Sequence, residues 1–140
     1  MIWVGGQVDL TPSGAVRNEG DLESQTRHAM ANLSRALEAL DCDLVDLVFL
    51  LCFYVNDGSV DEHAFLELVG SCLPEDSVPA VNAVPMPYLA YTGLVVEIEG
   101  YAMRREDGRR MEKSVAPGET LCALPVPFSQ AGRSGKMIFV

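Results

Sequence analysis

The chain has 140 residues, of which 49% are hydrophobic and 21% charged, so its composition suits one globular domain with a substantial core. The net charge of −10 argues against nucleic-acid binding, because neutralising phosphates requires a concentrated basic surface. The longest apolar run, residues 47–55, is about half as long as a bilayer-spanning helix. We therefore expect a cytoplasmic protein without nucleic-acid or membrane partners.

The histidines and cysteines give no sign of a metal site or a catalytic dyad. The four cysteines include no C-x-x-C pair, and neither His28 nor His63 has a second ligand at zinc-like spacing. Both histidines are interpreted as helix-surface side chains. We expect neither a metal nor a cofactor.

The first half of the chain predicts a strand, a helix, a second strand and a second helix. Residues 1–7 form an apolar strand broken by two glycines, and a helical period begins at Leu22 with Asp21 as its N-cap. Residues 47–55 are apolar throughout, which predicts a strand covered on both faces. Ser59 and Glu62 have the spacing of a capping box before the second helix.

The second half predicts further strands, and one of them carries paired carboxylates. The strand at residues 78–84 should stop or bend at Pro85 and Pro87, which cannot donate to a sheet ladder. Residues 94–105 form a clear strand in which Glu97 and Glu99 share one face. That face is either solvated or, if a neighbouring subunit covers it, supplies a carboxyl group of raised pKa for acid–base chemistry.

Four arginines between residues 104 and 110 form the only basic cluster, which Glu106 and Asp107 interrupt. A solvated hairpin is the simpler interpretation of this cluster, and an anion site is the alternative.

Taken together, the element order predicts an α+β fold, a mixed sheet with both helices on one face. Two helices cover only one side of a sheet, and the apolar strand at residues 47–55 needs a second cover. A homo-oligomer supplies that cover most simply.

The motifs occur in a familiar order. A strand ending in Gly-Gln, a helix over QTRHAMANLSRALEALDCD, a strand ending Val-Asn-Asp, a V-P-A strand and VEIEGYAMRR follow one another. Residues 1–105 thereby resemble the RidA/YjgF family of reactive-intermediate deaminases. The resemblance implies a chorismate-mutase-like fold of the bacillus type, a homotrimer, and a small-molecule site in the cleft between subunits.

The resemblance also implies site residues. Gly6 matches the turn glycine, Glu97 the glutamate that positions the attacking water, and Phe128 a position that is often tyrosine in the family. Val81 stands where the family has an arginine that clamps the substrate carboxylate; Asn82 and Ala83 follow it in the same strand. Val81, Val84 and Trp3 would make the mouth of the pocket more apolar, which favours a larger or uncharged ligand.

Because valine cannot replace an arginine–carboxylate fork, the resemblance implies a hydrolase or deaminase of altered specificity for an imine, enamine or related C–N compound. The alternative is a trimer that binds small molecules or acts as a scaffold without catalysis. Ribonuclease activity, which has been attached to some relatives, is the least favoured function because the chain is acidic.

The two ends of the chain share a similar apolar run, MIWV at the start and MIFV at the end. Residues 127–140 resemble the family's amino-terminal hairpin, so we divide this single domain into a core (1–105), a hairpin or linker (106–126) and a terminal hairpin (127–140). The hairpin indicates either circular permutation or a tandem gene, and we expect it to fill the missing edge of the sheet. Pairing with another subunit is a third possibility.

Overall fold

The computed structural model describes residues 1–116 and 128–140, which form two sheets and two α-helices. The main sheet and its helices comprise β1 (Ile2–Gln7), α1 (Leu22–Glu38), β2 (Leu47–Val55), α2 (Glu62–Ser71), β3 (Ala80–Met86) and β4 (Val96–Ala102). A short 3-10 turn, Leu44–Asp46, precedes β2. The second sheet comprises β5 (Lys113–Val115), β6 (Gly132–Ser134) and β7 (Met137–Phe139).

The main sheet is mixed, with strand order β1-β4-β2-β3. β4 pairs antiparallel with both β1 and β2, whereas β2 and β3 run parallel. This arrangement confirms the predicted α+β class and places β2 and β4 at the centre of the sheet.

Both helices pack on one face of this sheet, as the sequence predicts. Leu33 of α1 and Leu47 of β2 meet over Gly100, where an added Cβ would lie 2.7 Å from Leu33 Cδ1. On the same face, the rings of Tyr54 and Phe65 of α2 lie 4.6 Å apart. Asp21 caps α1 by accepting a hydrogen bond from the Ser24 backbone N–H at 3.0 Å, which confirms the predicted helix start.

The predicted start of α2 is wrong in detail. Ser59 does not cap the helix, because its hydroxyl donates instead to Asp57 at 2.6 Å. Asp61, immediately before the first helical residue, accepts from the backbone N–H groups of His63 and Ala64. The Asp61 carboxylate reaches these donors because it stands directly at the helix start. Ser59, two residues earlier, does not reach them.

β3 continues through Pro85 and ends at Met86, directly before Pro87, the second of the two prolines at which a stop or bend was expected. β3 is an edge strand of the main sheet and, among the strands of residues 1–116 and 128–140, pairs with β2. Proline is tolerated at an edge because a missing donor on the open side breaks no ladder bond.

β2 separates a buried row of side chains from a half-exposed one. Leu50, Cys52 and Tyr54 face the helices and are at most 1% exposed, and burial raises the pKa of the Cys52 thiol to about 12. Phe49, Leu51 and Phe53 point to the opposite face and are half-buried. We call that opposite side the open face; within one copy of the chain, the helices leave it uncovered.

The C-terminal residues form a separate antiparallel sheet with strand order β5-β6-β7. Among the described residues, the hairpin strands β6 and β7 pair with β5 and with each other, and not with an edge of the main sheet as we had expected. The hairpin joins that sheet through Ser129, which bridges to Ala80 of β3. The Lys113 ammonium of β5 donates to the Val45 and Leu47 carbonyls and fixes this sheet at the start of β2. Residues 117–126 of the expected linker, and residue 127, lie outside the described residues.

A buried ion cluster lies beside the same junction. The Asp46 carboxylate is 1% exposed and accepts from Arg104 Nη2 at 2.5 Å, while Arg110 Nε lies 3.7 Å from its other oxygen. Arg110 also pairs with Asp43. Arg104 and Arg110, two of the four arginines in the basic cluster, therefore form structural ion pairs.

Candidate functional site

Gly6 and Glu97 are in direct contact where β1 and β4 pair irregularly. The register of the two strands shifts between Val4 and Gln7, at the paired glycines. A Cβ built on Gly6 would lie 1.9 Å from Glu97 Oε1, so the carboxylate occupies the space of the missing side chain. The two residues that the resemblance assigns to one site are therefore neighbours, and their part in a site stays a prediction.

The Glu97 carboxyl group has a raised pKa. Burial is the main cause, because removing a carboxylate from water disfavours its charged form, and the nearby charge of Glu99 adds to the effect. Among the described residues, no hydrogen-bond donor is directed at the Glu97 carboxylate. The group is therefore free to exchange a proton with a ligand or a water molecule.

Glu99 and three aromatic rings extend this site along the open face. Trp3 Nε1 donates a hydrogen bond of 3.4 Å to Glu99 Oε2. The rings of Trp3 and Tyr101 stack with centroids 6.2 Å apart, and Phe49 meets Tyr101 edge-on at 5.7 Å. Trp3 is 62% exposed, so its indole offers an apolar surface beside the Glu99 carboxylate.

Asn82 lies on the open face, but not next to Glu97. It is in register with Leu51, which is in turn in register with Glu99. Asn82 is therefore about 10 Å from β4, two strand spacings away across β2.

Val81 and Ala83 point to the helix side of the sheet. Their register partners are Leu50 and Cys52, and both side chains pack against the helix-side core. Adjacent strand residues point to opposite faces, so Val81 and Glu97 are on opposite sides of the sheet within one chain. The motif match fixed the sequence position of Val81 but not the direction of its side chain.

Phe128 is also remote from Glu97 within one chain. It packs against the core, and the next residue, Ser129, pairs with Ala80 at the start of β3. Its position is thus on the β3 side of the molecule, whereas Gly6 and Glu97 lie at the β1–β4 pair.

Sequence reasoning missed a contact between His28 and Asp9. The Asp9 carboxylate is 2% exposed, and its Oδ2 lies 3.2 Å from His28 Nδ1 and 2.8 Å from Asn18 Nδ2. The three residues hold the loop after β1 against α1. Asp9 stands 19 positions before His28 in irregular backbone, so helical spacing gave no signal of the pair.

The four strands of the main sheet contain neither lysine nor arginine. The open face is therefore acidic and aromatic, and a cation that clamps a substrate carboxylate would have to come from outside this sheet. The helices of the described ranges, 1–116 and 128–140, include none that is long and apolar enough to cross a membrane.

Two helices on one face of a mixed four-stranded sheet, with a carboxylate against a glycine on the other, define a small α+β protein. The family model described as Endoribonuclease L-PSP matches residues 1–104. The chain belongs to this family, known also as Rid or YjgF, and the resemblance drawn from its motifs is confirmed.

Three relatives place the chain within the family. A RutC family protein of Pyrococcus horikoshii is 24% identical over 106 residues, covering 74% of this chain and 79% of the relative. The crystal structure of a Rid family protein of Yersinia pestis is similar to this chain, with 27% sequence identity and a TM-score of 0.66. The match covers 72% of this chain and 76% of the Yersinia chain. RidA of an Antarctic Psychrobacter is 25% identical with a TM-score of 0.58, covering 70% and 76% respectively.

Proposed function

We propose that this chain is a Rid-type hydrolase that converts an imine or enamine into a carbonyl compound and ammonia, with Glu97 as general base and acid. The observation that carries the proposal is the half-buried Glu97 carboxylate against Gly6, with its pKa raised. A carboxyl group of raised pKa exchanges protons closer to neutral pH, which suits acid–base catalysis.

In the first step, Glu97 takes a proton from a water molecule as the water oxygen attacks the imine carbon. Glu97 then gives that proton to the nitrogen, which leaves a carbinolamine. In the second step, the hydroxyl proton passes through Glu97 to the nitrogen. The C–N bond breaks with its electrons going to nitrogen, the carbonyl forms, and ammonia leaves.

The substrate we propose is an imine that lacks a carboxylate group. The open face presents Glu97 and Glu99, and the strands beneath it contain no lysine or arginine. A substrate carboxylate would meet two like charges there without a guanidinium to neutralise it. An apolar imine, neutral or protonated, suits the acidic site and the exposed ring of Trp3.

We further propose that the chain forms a homotrimer through its open face. Phe49, Leu51 and Phe53 form a contiguous apolar row that the helices do not cover. Large exposed apolar patches are unusual on monomers, and packing against further copies would bury this one. It would also bury Glu97 more deeply and raise its pKa further.

A binding or scaffold trimer without catalysis is the second candidate. The observation that favours it is Val81, which replaces the clamping arginine and packs into the core. The two candidates differ in their response to Glu97→Gln, since catalysis requires the proton acceptor whereas simple binding of an apolar ligand does not.

The test uses two freshly generated imines and follows ammonia release. Benzaldimine, made by a flavin amine oxidase from benzylamine, has no carboxylate; 2-iminopropanoate, made by an amino-acid oxidase from alanine, has one. We expect acceleration over buffer with benzaldimine, little with 2-iminopropanoate, and a loss of about 10²- to 10⁴-fold in Glu97→Gln.

Failure to accelerate either imine would refute the hydrolase and leave the scaffold. Rapid hydrolysis of 2-iminopropanoate would refute the proposed specificity alone. RNA cleavage that survives Glu97→Gln would refute the mechanism; we expect none, because the open face would repel phosphates.

A further inference from the structure

A groove at the C-terminal end of the molecule lies far from Glu97. Its volume is about 450 Å³, and its lining residues are Arg105, Met111, Glu112, Ser114, Arg133 and Gly135. Arg105 follows the C-terminal end of β4, whereas Glu97 lies near its N-terminal end. The strand from Glu97 to Ala102 is about 17 Å long. The groove is therefore separate from the open-face site.

The charge of the chain is unevenly distributed in a way that favours this groove for anions. Residues 1–103 carry three Lys and Arg against sixteen Asp and Glu, a net charge of −13. Residues 104–140 carry seven against four, a net charge of +3. Such asymmetry concentrates positive potential at one end of an otherwise acidic molecule.

Three of the seven basic side chains at this end are already paired with carboxylates. Arg104 and Arg110 pair with Asp46 and Asp43, and Arg109 pairs with Asp107 at 2.5 Å. The exceptions in the groove are Arg105 and Arg133, which have no carboxylate within 4.0 Å among residues 1–116 and 128–140. The groove thus holds two uncompensated guanidinium groups against one carboxylate, that of Glu112.

The backbone holds Arg133 in a defined orientation. Arg133 is in register with Ser114 across the β5–β6 ladder, so their side chains lie next to each other on one face. Arg133 Nε donates to the Gly135 carbonyl at 2.9 Å, which ties the guanidinium to the β6–β7 turn. Its two Nη groups and the Ser114 hydroxyl remain as donors toward the groove.

Arg105 is positioned from the other side. Its backbone N–H donates to the Arg109 carbonyl, and its carbonyl accepts from the Gly108 N–H, so a closed turn carries the residue. Asp107 within that turn is already bound by Arg109. Arg105 is therefore held close to the groove without an ion-pair partner in the described residues.

We propose that this groove binds a small molecule through an oxyanion group, a phosphate or a carboxylate, held by Arg105, Arg133 and Ser114. The planar fork of a guanidinium matches either oxyanion with paired hydrogen bonds. The volume lies within the range of small-molecule sites. Glu112, on the same wall, is placed to accept from a hydroxyl or ammonium group of the same ligand.

The experiment is a titration of the isotopically labelled chain followed by ¹⁵N–¹H NMR. Inorganic phosphate and succinate are the probes, and sodium chloride holds the ionic strength constant. We expect saturable shifts at the amides of Ser114, Arg133 and Gly135 with at least one probe. The probe that saturates at lower concentration identifies the preferred oxyanion.

Three variants separate a site from general charge attraction. Arg133→Gln and Arg105→Gln should each weaken binding about tenfold or more, because each removes charge-assisted hydrogen bonds. Arg109→Gln is the matched control, equally charged and close in sequence, and should leave binding unchanged. Shifts that do not saturate, or an equal loss in Arg109→Gln, would overturn the proposal.

Discussion

The carboxylate of Glu97 occupies the volume that a side chain on residue 6 would fill: Oε1 lies 1.9 Å from the position of a Cβ on Gly6. A glycine is therefore required at this point of β1 for the carboxylate to remain where it is. Since Gly6 does not have a positive φ, the requirement is for space and not for backbone conformation.

The first prediction follows from this contact. Gly6→Ala should displace the Glu97 side chain and reduce imine hydrolysis at least tenfold, with little change in thermal stability, because the displaced group is the flexible end of a side chain. Ammonia release and a melting curve measure the two effects. Gly5→Ala is the control, since a Cβ there has nothing within 4 Å; equal losses in both variants would contradict the steric explanation.

A second prediction concerns pH. The charge of Glu99 contributes to the raised pKa of Glu97, so Glu99→Gln should lower that pKa. A general base acts when ionised, and activity therefore rises as the pH passes upward through its pKa. The rising limb of the pH–rate profile should move to lower pH in Glu99→Gln. An unchanged limb would mean that another group controls it.

The third prediction tests self-association. Phe53→Asp places a charge at one end of the apolar row on the open face and should convert a trimer of 15.2 kDa chains to monomers. Light scattering after gel filtration measures the mass. Leu40→Asp, at a position that is 53% exposed beyond the end of α1, should leave the trimer intact. A monomeric unmodified chain would refute the proposed assembly.

The fourth prediction concerns stability. Asp46→Ala leaves Arg104 without its buried partner and should cost about 3–5 kcal/mol of unfolding free energy. Asp107→Ala removes an exposed ion pair with Arg109 and should cost at most about 1 kcal/mol. Urea denaturation of both variants measures the difference. Similar losses would mean that burial does not strengthen the Asp46 pair.

The sequence predicted those parts of the fold that depend on local patterns. The period of apolar residues identified α1, the Asp21 carboxylate identified its start, and unbroken hydrophobicity identified β2. The capping of α2 was misassigned because two nearby residues, Ser59 and Asp61, are both good N-caps, and only the backbone path decides between them.

The site was predicted less well because its geometry depends on register. Gly6 and Glu97 meet through strand pairing over 91 positions, which the family motifs encode. A one-residue change of position reverses the face on which a strand residue lies, so the motif that assigned Val81 to the site could not predict that its side chain faces the core of its own chain. Asp9 and His28 meet through irregular backbone that no periodicity describes.

The complete burial of Cys52 provides an internal probe of how often the sheet opens. A thiol whose pKa is about 12 is almost entirely protonated at neutral pH, and it reacts with alkylating reagents only after β2 separates from its neighbours. Cys72, half-buried beyond α2, would react during smaller openings. Mass spectrometry of the peptides that contain Cys52 and Cys72 would give both alkylation rates in one sample of the unmodified chain. The Cys52 rate would measure global unfolding and the Cys72 rate local unfolding.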